Sequence, residues 1–272
     1  MPNKLLGQNF LNNPQILERL VSAVDARAGD TILEVGPGHG ALTLPLAVAC
    51  AAANANLVAV EKDHALAEAV KDRLDKTEES NVRVVAGDIL ELIDSYLTVH
   101  GSTLKVIGNI PYYLTGHLLR LISESETAPA RCVFMVQKEV ALRIAAAPPD
   151  MNRLAASVQY WAVPKILMMV SRKEFTPVPK VDSAVVVLEK RESSASPDAV
   201  RYFAAMRALF TQPRKTIFNN LAVDPSIFEA AAGLSRKEFL AKQLQELGID
   251  PGDRPQALSV RQISDIAEKF LA

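Results

Sequence analysis

The chain reads as an α/β protein: a mostly parallel seven-stranded sheet with crossover helices, followed by a small all-helical domain. Three observations predict it. The first two-thirds alternate short β-branched runs with helical patterns. Those runs are continuously apolar rather than alternating, as strands covered on both faces must be. After a charged, Ser-rich stretch at 189–197 (EKRESSASP), helical periodicity continues without a convincing strand.

In order, the strands fall at Thr31–Val35, Leu57–Glu61, Val82–Ala86, Leu104–Gly108 and Cys132–Gln137. Helical patterns cover Leu42–Ala53, His64–Asp75, Gly116–Ser123 and Lys138–Ala147. A helix near Leu154–Trp161 precedes two further strands, Lys165–Val170 and Ala184–Glu189. No helix separates that last pair, so the second enters the sheet antiparallel. The sheet-bearing domain therefore spans 1–190. A helical domain at 197–272 follows the linker, with helices at Asp198–Phe210, Pro225–Ala232, Arg236–Gln245 and Ser259–Leu271. Ser235 with Glu238 forms a capping-box pattern, and Ser259 caps the last helix.

The composition of the 272 residues is globular, 49% apolar and 22% charged, which excludes a disordered or low-complexity chain. Thirty Lys and Arg against 31 Asp and Glu leave a net charge of −1, so no global cationic field draws in nucleic acid. Cys50 and Cys132 lie far apart in apolar surroundings and read as buried thiols in a reducing compartment. The four histidines (His39, His64, His100, His117) show no metal-ligand spacing. Ala41–Val60 is uncharged and long enough to span a bilayer, but Pro45, Asn54 and Asn56 resolve it into helix, turn and strand. Met1–Lys4 is too short and polar for a signal peptide. The expectation is a cytoplasmic protein with no membrane segment and no metal.

The first strand runs into Glu34-Val35-Gly36-Pro37-Gly38-His39-Gly40, where glycines permit a tight turn and close approach of a ligand to backbone. Gly36-x-Gly38-x-x-Ala41 also fits the dinucleotide fingerprint, so this turn alone leaves two cofactors open. The second strand ends at Glu61, placed to accept ribose hydroxyls. The third runs into Asp88, placed to accept from an adenine amino group. Three carboxyl ends of parallel strands make one crevice. This triple pattern resembles class I (Rossmann-like) S-adenosylmethionine-dependent methyltransferases, whose cofactor has no pyrophosphate. A dehydrogenase needs a hydride-side acid or base, and the sequence offers no His-centred candidate.

Gly108-Asn109-Ile110-Pro111-Tyr112-Tyr113-Leu114-Thr115, at the end of the fourth strand, resembles the Asn-x-Pro-Tyr/Phe motif of methyltransferases acting on planar exocyclic nitrogens. Such a nitrogen is a poor nucleophile because its lone pair is delocalised. The Asn109 oxygen and a carbonyl near Ile110 would hold its hydrogens and draw it toward tetrahedral geometry. Pro111 pre-aims the acceptors, and Tyr112 offers a stacking face. No strong general base is required, because the methylated nitrogen is acidic.

Further segments resemble the KsgA-type ribosomal RNA adenine dimethyltransferases and their Erm relatives. Leu6-Gly7-Gln8-Asn9-Phe10-Leu11 is similar to their N-terminal signature, which implies that Asn9 and Leu11 close over the cofactor. Phe134–Val140 matches the fifth-strand segment. Phe175-Thr176-Pro177-Val178-Pro179-Lys180-Val181-Asp182-Ser183 resembles the Phe-x-Pro-x-Pro-Lys-Val-Asp-Ser element and makes Phe175 the second wall of a base pocket. The stretches Ala208–Leu221 and Arg254–Ser259 match tail motifs that favour the housekeeping enzymes over Erm. Three positions depart from the pattern: Pro213 and Phe218 where basic residues are common, and Tyr113 where Asn is frequent.

The resemblance implies dimethylation of N6 on two adjacent adenosines in the 3′-terminal hairpin loop of 16S rRNA, within an immature small subunit. Nothing in the sequence suggests a dimer interface, so a monomer is expected. Gly36, Gly38, Glu61, Asp88 and Asn109 join Asn9 and Leu11 around S-adenosylmethionine. Asn109, Pro111, Tyr112 and Phe175 serve the base. The tail carries ten Lys and Arg against nine Asp and Glu, so RNA binding depends on a local patch: Arg153, Lys180, Arg207, Arg214 and Lys215. A ribosome-assembly factor with secondary catalysis and an Erm-type 23S rRNA enzyme are the alternatives.

Overall fold

A computed structural model describes residues 9–11, 13–77, 81–192, 198–223 and 236–270. The chain forms two compact units. One holds Met1–Leu142 with Val163–Lys190, and the other holds Arg143–Ala162 with Arg191–Ala272. The sequence places the boundary near 190 alone, with all of 1–190 in the first domain. In the structure, Arg143–Ala162 instead clusters with the tail, because its helix packs on tail helices.

The first unit is built on a seven-stranded sheet. Its strands are β2 (Thr31–Val35), β3 (Asn56–Glu61), β4 (Val82–Ala86), β5 (Leu104–Asn109), β6 (Arg131–Gln137), β7 (Ala162–Val170) and β9 (Ser183–Lys190), in the order β4-β3-β2-β5-β6-β9-β7. The first five run parallel, and β9 pairs with β6 antiparallel, as expected. The edge position of β7 explains how it tolerates Pro164, which donates no ladder bond. A separate two-stranded ribbon pairs β1 (Phe10–Leu11) with β8 (Phe175–Thr176).

The helices of this unit are α1 (Pro14–Val24), α2 (Thr43–Ala53), α3 (His64–Leu74), α4 (Ile89–His100), α5 (Tyr112–Glu124) and α6 (Lys138–Ile144), which runs into the second unit. Asn13, Asp63 and Asp88 cap α1, α3 and α4 by accepting backbone N–H bonds in the first turn. Helix α4 and the extent of α1 are missing from the sequence reading. Helix α5 starts four residues earlier than expected, because Pro111 stands at its N-cap. Ile32, Leu57, Ile107 and Val133 from the sheet meet Leu20, Leu46 and Cys50 from the helices in one core. Cys50 and Cys132 are both buried, and burial raises both thiols, Cys50 to about 11.

The second unit holds α7 (Arg153–Trp161), α8 (Ala199–Leu209), α9 (Ile217–Ala222), α10 (Arg236–Glu246) and α11 (Val260–Phe270). Tyr202 is fully buried and donates its hydroxyl to the Ala156 carbonyl at 2.9 Å. Tyr160 and Phe203 pack on its ring. Ser259 caps α11 reciprocally: its hydroxyl accepts from the Gln262 N–H, and the Gln262 side chain accepts from the Ser259 N–H. The expected helix at Pro225–Ala232, Ser235, Leu6–Gln8 and most of the linker lie outside the described residues.

Candidate active site

Parallel strands send their carboxyl ends, and the caps of the following helices, to one edge of the sheet. After β2 the chain turns sharply: the Gly36 N–H donates to Val60 at 2.9 Å, and the Gly40 N–H to Pro37 at 2.8 Å. Gly38 sits at φ +57°, and a Cβ there would meet the Phe10 ring at 2.9 Å. That aromatic ring stands over the turn, with the His39 ring 4.3 Å away. Glu61, at the end of β3, braces the same turn. One carboxylate oxygen accepts from the Gly38 N–H and the other from the Asp63 N–H, both at 3.0 Å. A carboxylate offers about four acceptor positions, so capacity for a ligand's hydroxyls remains.

Asp88 is more committed than its sequence role suggests. One oxygen accepts from the Leu90 N–H at 3.0 Å, and the other from the Lys62 ammonium at 2.7 Å. The Lys62 hydrogen bond, helped by that of Leu90 against the cost of burial, holds the carboxyl below its ordinary value.

On β5, Gly108 lets two backbones touch: a Cβ there would lie 2.6 Å from the Val35 carbonyl. Asn109 follows, and its amide nitrogen donates to the Asn9 carbonyl at 2.9 Å, which leaves the amide oxygen as its acceptor. The Ile110 N–H donates to Met135 at 3.0 Å. The Pro111 carbonyl accepts from Leu114 and Thr115. Of the two carbonyls at this turn, that of Ile110 is therefore the one without a bond among the described residues. Tyr112 is half-buried and Tyr113 is exposed. Phe175 pairs with Leu11 in the β1–β8 ribbon, and the two side chains are 2% and 4% exposed.

All ten residues assigned from sequence to catalysis and cofactor line one cavity: Asn9, Leu11, Gly36, Gly38, Glu61, Asp88, Asn109, Pro111, Tyr112 and Phe175. Phe10, Glu34, Lys62 and Met135 also line it, and sequence reasoning missed them. For Glu34 a signal existed: a lone acid inside an apolar strand, two residues before Gly36.

Glu34 is 1% exposed, and its Oε2 has no hydrogen-bond partner. The Thr43 hydroxyl stands near, itself buried and outside hydrogen-bond geometry. Burial pushes the Glu34 carboxyl up to about 8, Thr43 relieves part of this, and the neighbouring Glu61 adds to it. A buried acceptor of this kind suits a cationic ligand, because a cation restores the lost solvation. S-adenosylmethionine carries positive charge on its sulfonium and ammonium groups, a sugar for Glu61 and an adenine amine for Asp88. The donor set fits it.

None of the residues assigned to RNA lines this cavity. Lys180 borders a separate cleft of the first unit. Arg153, Arg207, Arg214 and Lys215 are exposed in the second unit. Asn220 shapes the turn that carries Arg214 and Lys215: its side chain accepts from the Gln212 N–H and donates to the Gln212 and Thr216 carbonyls. Gln256 links that turn to the start of α7, donating to Pro213 at 3.0 Å and accepting from the Met151 N–H at 3.1 Å. Arg153 thus stands close to the same turn.

Comparisons with known proteins agree with this geometry. The model of the ribosomal RNA adenine dimethylase family matches residues 2–268. A ribosomal RNA small subunit methyltransferase A of Pelotomaculum thermopropionicum is 38% identical, with 99% of this chain and 92% of the relative aligned. Its counterpart from Moorella thermoacetica is 36% identical, over 98% and 92%. Among solved structures, a dimethyladenosine transferase from Plasmodium falciparum superposes with a TM-score of 0.80 at 24% identity, covering 94% of this chain and 95% of that one. The 23S rRNA methyltransferase ErmE gives 0.71 at 23%, covering 96% and 99%. These two likenesses establish a class I methyltransferase fold. With the family match over nearly its whole length, the chain belongs to the ribosomal RNA adenine dimethylases.

Proposed function

We propose that this enzyme uses S-adenosylmethionine to dimethylate N6 of two adjacent adenosines in the 3′-terminal hairpin loop of 16S rRNA. It acts as a cytoplasmic monomer on an immature small ribosomal subunit. The Asn109–Tyr112 turn carries this reading, because it brings two acceptors and an aromatic face together beside a cavity suited to the donor. Among the described residues no helix is long and apolar enough to cross a membrane.

The chemistry follows from what the chain can hold. The Asn9 carbonyl pins the Asn109 amide, so its oxygen is oriented before substrate arrives. That oxygen and the Ile110 carbonyl take the two hydrogens of the exocyclic amine, drawing nitrogen toward tetrahedral geometry and freeing its lone pair. Tyr112 stacks on the flipped base, a contact worth about 1–3 kcal/mol, with Phe175 behind it. Bound S-adenosylmethionine supplies the electrophilic methyl group. In each transfer the C–S electron pair stays with the departing thioether. The cationic nitrogen, held by both acceptors in the first round and by one in the second, gives up one proton to water. Alignment and fixed dipoles supply the acceleration. Arg153, Arg207, Arg214 and Lys215 meet RNA phosphates.

The test is to incubate the protein with purified small and large subunits and labelled donor, then analyse the nucleosides by mass spectrometry. The expected product is N6,N6-dimethyladenosine on the small subunit. Label confined to the large subunit would make this an Erm-type enzyme. A Glu61 variant that binds no donor yet restores subunit maturation would make assembly the main role.

A further inference from the structure

The site leaves a second cleft unexplained, and three cations border it. It measures about 480 Å³ and is bounded by Lys138, Arg172 and Lys180, with Glu139, Asp182 and the exposed apolar side chains of Leu142 and Val181. Among the described residues none of the three cations makes an ion pair. Against the two carboxylates of Glu139 and Asp182 the three cations leave the cleft a formal charge of +1, and their mutual repulsion is offset when an anion enters.

Two residues, Asp182 and Arg172, hold the arrangement. The Asp182 carbonyl accepts from the Lys138 N–H at 3.0 Å, and its carboxylate accepts from the Arg172 N–H, also at 3.0 Å. The Arg172 guanidinium in turn donates to the Lys180 carbonyl at 3.2 Å. Asp182 therefore ties the backbones of Lys138 and Arg172 together, and the Arg172 side chain fixes the backbone of Lys180. The negative charge of Asp182 in a basic cleft is explained by that task.

The cleft is also placed in step with the methylation site. The segment 172–182 gives Phe175 to the donor and base cavity and gives Arg172, Lys180 and Asp182 to the cleft. Strand β6 gives Met135 to the first and Gln137 to the second. Two residues of extended chain span about 7 Å, on the scale of one nucleotide step. We infer that this cleft binds the sugar–phosphate backbone next to the target adenosine, with Lys138, Arg172 and Lys180 on phosphate and Leu142 and Val181 against sugar or base. The inference rests on the RNA substrate proposed above and assigns its flanking nucleotides a specific seat.

The test compares the wild type with Lys138→Gln/Arg172→Gln, in methylation of small subunits and in binding to a protein-free fragment of the 3′-terminal hairpin. The double variant is expected to raise the KM for the particle and the fragment Kd about tenfold, and to reduce the salt slope of fragment binding by about 1.5. Its donor affinity stays at the wild-type value, which confirms folding. Arg172→Lys keeps the charge and is expected to bind the fragment like the wild type. Unchanged affinity and salt slope in the double variant would overturn the inference. So would Arg172→Lys failing as badly as a glutamine, since the role would then be loop architecture. A loss seen with the particle but not the fragment would assign the cleft to a ribosomal protein and overturn it equally. A wild type that binds the fragment in this salt-dependent way but methylates no small subunit defeats the function proposed above while leaving the cleft's assignment intact.

Discussion

Glu34 holds its proton into the neutral range because burial leaves the charged form unsolvated, and this has two measurable effects. Its folded pKa of about 8 lies above the ordinary 4.5, so Glu34's contribution to the stability of the ligand-free protein falls as pH rises between those values and changes no further beyond them. Glu34→Gln is expected to flatten that decline, read as urea midpoints at about pH 5 and about pH 8.5. A cationic donor favours the carboxylate, so its affinity rises with pH up to about 8, by at most about tenfold per unit. Calorimetry in buffers of different ionisation enthalpy should register the released proton, and the glutamine variant should release none. In the proposed mechanism Asn109 acts at the reacting nitrogen instead. Asn109→Ala is expected to lower turnover about 10²–10³-fold with little loss of donor affinity. Near-normal turnover would remove the amine-holding mechanism.

At the scale of elements, the ends of strands do double duty. Asp88 is both a ligand candidate and the N-cap of α4, and the two roles separate by substitution. Asp88→Asn keeps a capping oxygen, so stability should shift by only a few tenths of a kcal/mol while donor binding weakens. Asp88→Ala should lose about 1 kcal/mol of stability as well. Gly108→Ala would press a methyl group on the Val35 carbonyl and separate β2 from β5, at a cost of about 1–3 kcal/mol in chemical denaturation. These elements also show how far sequence reaches. Strands β2 to β6 were legible because each is a short apolar run ending in a turn or ligand residue. Helix α4 carries apolar residues at Ile89, Ile93 and Leu97, yet its start is hidden in the sequence because Asp88 reads equally as a ligand and as a cap. The β1–β8 ribbon was illegible, since two-residue strands have no periodicity and their pairing joins residues 164 and 166 apart, Leu11 with Phe175 and Phe10 with Thr176.

For the whole molecule, a net charge of −1 limits how RNA can be held. Only local cations are available, so the log–log salt dependence of binding to protein-free RNA should be bounded, with a slope near −5 to −6 for about seven phosphate contacts. A much steeper slope would reveal a larger footprint than these residues provide. Residues brought together from distant positions, such as Gln256 beside Pro213, were beyond sequence reasoning because only tertiary packing makes them neighbours. Phe10 and Leu11 line the cavity proposed for the donor, and their strand is hydrogen-bonded to the one that bears Phe175. If spent donor leaves past Phe10, the ribbon must shift, and the aromatic wall behind the nucleobase shifts with it. Each refill between successive transfers then loosens the grip on a half-finished nucleotide. Singly modified RNA should accordingly escape into solution when donor is scarce, and a chase with unlabelled RNA would catch it there.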